Sequence, residues 1–187
     1  MVPLAIHLGS KMKKRELFLY ENYSFLNHFF NLFHNFLPPV LRRMTFCVTF
    51  KSFGKGVMVD YNTYFRYPRK IYLSDGVEIN RGCQFYPSFK FKHSKIQIGQ
   101  NVLIAPNVVF FGAGHSSVDL KDESGDIIIG KNSYIGGNSI IRYGTIIGVN
   151  CVIAAGSVVV SSIPDNSLAA GNPAKVIKNL GESVSTL

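Results

Sequence analysis

Cysteine is scarce and badly placed for pairing. Cys47, Cys83 and Cys151 are spread over 187 positions, with no C-x-x-C and no even-numbered framework. That excludes a disulfide scaffold and points to free thiols in a reducing compartment. Acidic residues are also few, 11 against 20 Lys+Arg, for a net charge of +9. The imbalance calls for an anionic partner: nucleic acid, an acidic polysaccharide, a phosphate-bearing cofactor or an anionic membrane face. Only 17% of residues are charged and 47% are hydrophobic, which excludes a disordered chain. No apolar run reaches the roughly 20 residues of a membrane span. Residues 1–15 lack the apolar core and cleavage site of a secretory signal, so a cytoplasmic protein is expected. They read as a leader, tag-derived or disordered, and Met12 is the natural start if 1–11 is foreign.

What is present is a repeat. Ile129, Ile135, Ile141, Ile147, Ile153 and Val159 stand six apart without a break. Small residues follow several of them (Gly130, Gly136, Gly148, Ala154), and Ser133, Ser139, Thr145, Cys151 and Ser157 sit three or four positions further on. A period of six fits neither a 3.6-residue helix nor a single strand. It fits a solenoid whose six-residue segments form the faces of a triangular coil, with the aliphatic residue inward. One coil cannot bury its own apolar edge, so coils must stack. Cys151 occupies a small inward position and needs no chemistry to explain it.

The same spacing extends upstream. Phe53, Val59, Phe65 and Ile71 form one set, Leu73, Ile79 and Phe85 a second, and Ile98, Ile104 and Phe110 a third. The phase slips by two after Ile71 and by one between Phe91 and Ile98, as small insertions at coil corners would cause. Two segments break the repeat: basic, aromatic residues 86–95, and residues 111–126, where Gly112 and Gly114 flank a turn around His115. Loops on a rigid scaffold are where function concentrates.

Residues 16–41 are rich in aromatics and helical in spacing at Leu26, Phe29, Phe30, Phe33 and Leu37, with Pro38-Pro39 as a stop. Asn27, His28, Asn31, His34 and Asn35 interrupt the apolar character. The expected role is packing against the solenoid or a neighbouring subunit. The alternative is peripheral contact with a membrane, with Arg42 and Arg43 suited to anionic headgroups. The solenoid then occupies 42–163, with a loop at 111–126, and 164–187 is a closing segment and tail.

These residues resemble the hexapeptide-repeat acyltransferases of the maltose/galactoside O-acetyltransferase type. The matching pieces are IGQNVLIAPNVVF (98–110), Gly114-His115, IGKNSYIGGNSIIRYGTIIGVNCVIAAGSVV (129–159) and AAGNPAKVIK (169–178). The N-terminal third is more similar to the polysaccharide O-acetyltransferases of capsule and lipopolysaccharide assembly. The resemblance implies an all-β solenoid, a left-handed parallel β-helix, assembled as a homotrimer with active sites between subunits and acetyl-CoA as co-substrate. It also implies that Gly137 and Ala155 flank the pantetheine arm and that Lys178, with Lys175, meets the nucleotide phosphates. Where the family often carries a Thr-Lys pair, this chain has Val160-Ser161, so Ser161 stands at a donor-binding position without the basic partner. Near Pro87 and Ser88 the sugar acetyltransferases carry an Asn that is absent here.

Acetyl transfer to a hydroxyl needs a general base, for which histidine is the apt side chain. Of His7, His28, His34, His93 and His115, only His115 lies between the repeats in a glycine-bracketed loop, and it matches the family's catalytic histidine. Asp119, Asp122 and Glu123 are the nearby carboxylates that could orient it, although loop charges are ordinarily solvated and a backbone carbonyl could serve. The acceptor is expected near Tyr86, Ser88, Lys90, Lys92 and His93, whose basic and aromatic character suits a sialic or uronic acid polymer.

The rival readings are an N-acetyltransferase on a sugar-nucleotide amine or an antibiotic, a γ-carbonic-anhydrase-like metalloenzyme, and a non-catalytic scaffold. The metalloenzyme needs three zinc-binding histidines, and the solenoid offers His93 and His115 alone, so no metal is expected. Nucleic acid is not expected either, for want of a groove-reading helix or motif.

Overall fold

The computed structural model describes residues 14–88, 90–92, 94–115 and 121–181. His7, His93 and Asp119 lie outside the described residues. Two helices come first, α1 at Lys14–Phe36 and α2 at Pro39–Thr49. Pro38-Pro39 does end α1, but Pro39 also opens α2, since proline is tolerated in a first helical turn. The helical part therefore runs eight residues past Leu41, where the sequence seemed to turn β-like.

The solenoid is built coil by coil. The first coil holds β1 (Ser52–Phe53), β2 (Met58–Val59) and β3 (Tyr64–Phe65); the second holds β4 (Ile71–Leu73), β5 (Glu78–Ile79) and β6 (Gln84–Tyr86). The third holds β7 (Ile96–Ile98), β8 (Leu103–Ile104) and β9 (Val109–Phe111), and then a hairpin of β10 (Ala113–His115) and β11 (Asp122–Ser124) leaves the coil. Next come β12 (Ile127–Ile129), β13 (Tyr134–Ile135) and β14 (Ile140–Arg142), and after them β15 (Ile146–Ile147), β16 (Val152–Ile153) and β17 (Val158–Val159). An antiparallel hairpin, β18 (Ser167–Gly171) and β19 (Ala174–Asn179), closes the end.

Consecutive strands of a coil belong to different sheets, so the chain turns a corner after each one. The first sheet is β1-β4-β7-β12-β15, the second β2-β5-β8-β13-β16-β18-β19, and the third β3-β6-β9-β14-β17. All stacked pairs from coil to coil are parallel. The six-spaced residues point inward and are fully buried, as with Ile79, Ile104, Ile135 and Ile153 in the second sheet. On the third sheet, Phe65, Phe85 and Phe110 stack at centroid distances of 5.0 and 4.6 Å. Burying such side chains is worth about 1.5–3 kcal/mol each.

Corners require a left-handed backbone, which asparagine and glycine supply. Asn101, Asn107, Asn132, Asn138, Asn150 and Asn166 have φ between 52° and 61°. Their amides also bond in a ladder, Asn101 to Asn132 at 3.3 Å, Asn132 to Asn150 at 3.3 Å and Asn150 to Asn166 at 2.9 Å. Gly76 takes the same conformation below that ladder, where a Cβ would lie 2.5 Å from the Asn101 amide oxygen.

The helices seal the open first coil. Phe46 of α2 and Phe50, just beyond its end, plug its interior, and the Phe50 ring packs edge-on to Phe65 at 4.8 Å. Unpaired backbone groups on the coil edge are met by side chains. Asn31 bonds both backbone groups of Phe65, accepting from its N–H at 3.0 Å and donating to its carbonyl at 3.3 Å. The Arg42 guanidinium donates to the carbonyls of Val59 and Asp60 at 2.7 and 3.0 Å, and Arg43 donates to Val57 O at 3.1 Å. Arg42 and Arg43 thus cap the coil edge, and Arg42 is buried rather than turned to headgroups.

Helix α1 is consequently turned inside out. Its polar Asn27 is buried against the coil and its His34 against Thr45 and Phe46 of α2, while Leu26, Phe29 and Phe33 are exposed. The apolar stripe does not pack on this chain's solenoid as the spacing led one to expect. A raw sheet edge demands hydrogen-bonding partners, and the amide face of α1 provides them.

Candidate functional site

Every large insertion falls at the same corner, between the third and first sheets. Phe65 to Leu73 is eight residues, Phe85 to Ile98 thirteen, and Phe110 to Ile129 nineteen, against six at the uninserted corners. The two slips seen in the sequence are therefore two of three insertions stacked on successive coils. Together they build a cavity of about 420 Å³, within the usual range for small-molecule sites. Its walls include Tyr67 from the first insertion, Tyr86, Ser88, Lys90 and Phe91 around the second, and Gly114, His115 and Asp122 from the third.

The second insertion is organised from below. Lys70 donates to the carbonyls of Ser88 and Phe91, and the fully buried Ser94 hydroxyl accepts from Ser88 N–H at 3.0 Å. Burial pushes the Lys70 ammonium down from its ordinary range, against an opposing pull from Asp126.

The third insertion is a β-hairpin, and its register sets the chemistry. His115 stands directly opposite Asp122. The imidazole Nδ1 lies 3.2 Å from Asp122 Oδ1, and the ring is 64% exposed toward the cavity mouth. With Nδ1–H donated to the carboxylate, the Nε2 lone pair faces outward, the orientation a base requires. Lys90 binds the other oxygen of Asp122. That hydrogen bond is the main cause holding the Asp122 carboxyl below its usual range, with the charge of His115 a lesser one. His115 is the last residue of the strand β10. The glycines serve close approach instead: a Cβ on Gly112 would sit 2.9 Å from Ser94 O, and one on Gly114 would sit 2.8 Å from the Tyr143 ring. Glu123 bolts the hairpin to the next coil, accepting from the Tyr143 hydroxyl at 2.7 Å and pairing with Arg142 at 3.2 Å.

Of the acceptor-side residues, Tyr86, Ser88 and Lys90 line the cavity with His115. Lys92 is exposed and is not part of its lining. The donor-side residues lie elsewhere. Gly137 follows β13 and Ala155 follows β16, so both sit at the corner between the second and third sheets, where Gly156 N–H donates to Gly137 O at 2.9 Å. Lys175 stands opposite Ala170, at the end of β18 nearer that corner, while Lys178 stands opposite Leu168 at the other end. Ser161 follows β17 at the His115 corner, two coils away along the axis. Within one chain, His115 and the Gly137–Ala155 column are on different edges of the prism.

Sequence reasoning missed Arg66, Tyr67 and Tyr20. Arg66 and Tyr67 sit at the first insertion, and Tyr20 reaches the cavity from α1. The two-residue slip that the sequence showed after Ile71 marked the neighbourhood but neither the insertion's place, between Phe65 and Leu73, nor these residues.

Comparison with known proteins bears on the reading. The profile of the hexapeptide repeat of succinyl-transferase matches residues 126–161. A maltose O-acetyltransferase from Clostridium difficile 630 superposes with a TM-score of 0.76 at 33% identity, over 87% of this chain and 88% of that one. The chain belongs to the hexapeptide-repeat acetyltransferase family. Among further members, a galactoside acetyltransferase solved in complex with coenzyme A superposes with a TM-score of 0.76 at 29% identity, covering 93% of this chain and 86% of its own. A putative acetyltransferase of Saccharomyces cerevisiae is 41% identical over 66% of this chain. A putative lipopolysaccharide biosynthesis O-acetyl transferase of Escherichia coli is 33% identical over 68% of this chain. The chain spans 63% of the length of each of these two curated relatives.

Proposed function

We propose that this family member is an acetyl-CoA-dependent O-acetyltransferase that acetylates a hydroxyl of a cell-surface glycan, with His115 as general base. The observation that carries the reading is the His115–Asp122 pair, held on a hairpin at the mouth of an aromatic-walled cavity. His115 Nε2 takes the proton of the acceptor hydroxyl as its oxygen attacks the thioester carbonyl. When the tetrahedral adduct collapses, the C–S bond breaks and the imidazolium returns that proton to the leaving thiolate. Asp122 keeps the ring in the required tautomer and supports its transient charge. The relative solved with coenzyme A supports the choice of donor.

Two features of the assembly belong to this reading. His115 and the Gly137–Ala155 column occupy different corners, so a donor groove beside His115 requires a second copy of the chain. A homotrimer, with the left-handed coil implied by the family, meets that need. The outward face of α1 and α2 carries Phe18, Phe25, Phe33, Phe36, Val40 and Met44 in exposed positions. That is more apolar surface than a monomer ordinarily leaves in water. No described helix is long and apolar enough to cross a membrane. We read this face as lying on a bilayer surface, with the exposed Lys14 and Arg15 at the start of α1 meeting anionic headgroups.

The test is a screen with labelled acetyl-CoA against neutral and acidic glycans and amine acceptors. Label released by hydroxylamine marks an O-ester and supports the proposal. Label that resists it on an amine acceptor transfers the reading to N-acetylation.

A further inference from the structure

The cavity beside His115 has an uneven distribution of charge. Among its described lining residues the formally charged side chains are Arg66, Lys90 and Asp122. Lys90 and Asp122 neutralise each other. Arg66 is left over, and none of the carboxylates among the described residues forms an ion pair with it.

The guanidinium is oriented by hydrogen bonds to the side chains of Tyr20 and Tyr67, yet its charge meets no carboxylate among the described residues. It lies 4.7 Å from the Tyr20 ring centroid and 5.3 Å from that of Tyr67. Its Nη2 donates to Ser24 Oγ at 3.4 Å, a long bond. Its Nε is buried without a hydrogen-bond partner. A buried donor left unmade is costly, commonly about 1–3 kcal/mol, and structures retain such groups where a ligand completes them. The planar fork of arginine matches a carboxylate with two parallel bonds. Around it, Tyr20, Tyr67, Tyr86 and Phe111 line the cavity with aromatic surface for a sugar's C–H groups; Tyr67 is braced by stacking on Tyr23 at 4.2 Å and Tyr86 by stacking on Phe111 at 5.6 Å.

We propose that Arg66 is the specificity-determining residue of the acceptor subsite and that the acceptor is a carboxylated sugar, a uronic or nonulosonic acid. Its carboxylate meets Arg66 between the tyrosines of α1 and the first coil while one of its hydroxyls meets His115. The inference rests on the transferase reading above and narrows it to an acceptor class. It also gives α1 a role at the site, since Tyr20 holds one side of the guanidinium. The other candidate role for Arg66, anchoring α1 to the coil, predicts a loss that is blind to the acceptor's charge.

Initial rates with labelled acetyl-CoA should be measured on a hexuronate glycoside, a nonulosonate glycoside, the uronate carboxamide, a neutral hexose glycoside and a hexose phosphate. The wild type should prefer one or both carboxylated sugars to the carboxamide. Arg66→Gln should raise KM for the preferred acid about 10- to 150-fold, the range for a hydrogen bond to a charged group. Its loss on the neutral glycoside should be far smaller than on the acid, its coenzyme A affinity should match the wild type, and Arg66→Lys should recover part of the loss. Equal losses on acid and neutral acceptors, or a wild type that prefers the carboxamide or the phosphate, overturn the assignment. The wild-type comparison decides the matter even if Arg66→Gln does not fold. Calorimetric binding of the free acids separates the two proposals. Arg66-dependent binding without any transfer sinks the transferase reading alone, and transfer with no Arg66-dependent binding sinks the subsite alone.

Discussion

At the scale of single residues, the account turns on Asp122. The sequence placed it among three loop carboxylates that solvation could explain as well as function. Its partner relation to His115 arises from the register of a hairpin whose connecting residues carry no recognisable turn motif, so spacing could not reveal it. We expect Asp122→Asn to retain the fold and coenzyme A binding while lowering kcat/KM by on the order of 10²-fold, since the imidazole loses its orienting anion. A variant within a factor of two of wild type would leave Asp122 as an ordinary loop charge. The carboxyl is held low mainly by Lys90. Removing that ammonium in Lys90→Met should therefore raise the Asp122 titration midpoint, read from its carboxyl carbon by NMR. The sign follows from the linkage: a depressed carboxylate stabilises the hairpin above its unfolded pKa and ceases to do so as pH falls through its folded one. In Lys90→Met the contribution is smaller, and its loss is complete at a higher pH. An unmoved midpoint contradicts the assignment of Lys90 as the cause.

Among elements, the strands and the existence of α1 were legible, but the face that α1 buries and the extent of α2 were not. A period of six at buried positions has one economical explanation, and the three sheets follow it from Phe53 to Val159. Corner asparagines gave a second signal that the aliphatic pattern overshadowed. The helices misled because apolar residues are ordinarily the inward ones. Here the demand of the coil edge for hydrogen bonds placed Asn27, Asn31 and Arg42 inward, and the Phe and Leu residues were left facing out. The arginines beside Pro38-Pro39 read as a surface pair, yet their donors reach carbonyls across 11 to 18 positions of sequence. Arg42→Ala strips two carbonyls of a charged donor and should cost about 3 kcal/mol in denaturant unfolding. A cost under 0.5 kcal/mol contradicts the capping role. For the outward face, co-sedimentation with anionic vesicles should fall sharply in a Phe25→Ser, Phe29→Ser, Phe33→Ser variant that keeps its oligomeric state. Loss of the oligomer instead assigns the face to a subunit contact.

The whole molecule is a prism whose candidate functional residues lie on separate edges. Three insertions grow along one edge and end at His115, and the small residues Gly137 and Ala155 line another. The candidate base was legible because it stands where the repeat fails, between glycines. The acceptor wall was not, since Tyr20 and Arg66 meet across 46 positions of sequence. Mixed assemblies test the arrangement. Subunits carrying His115→Ala and subunits carrying Gly137→Trp, each inactive alone, should regain activity when unfolded and reassembled together. Under random mixing about a quarter of the sites combine an intact base with an intact groove. No recovery in verified mixed trimers places both halves of the site in one chain.

The most direct test of the account is acetyl transfer by His115→Ala under single-turnover conditions, beside coenzyme A affinity and mass in solution. The account predicts a rate reduced about 10²- to 10⁴-fold or more, with affinity and assembly as in the wild type. Transfer at a near wild-type rate would contradict it.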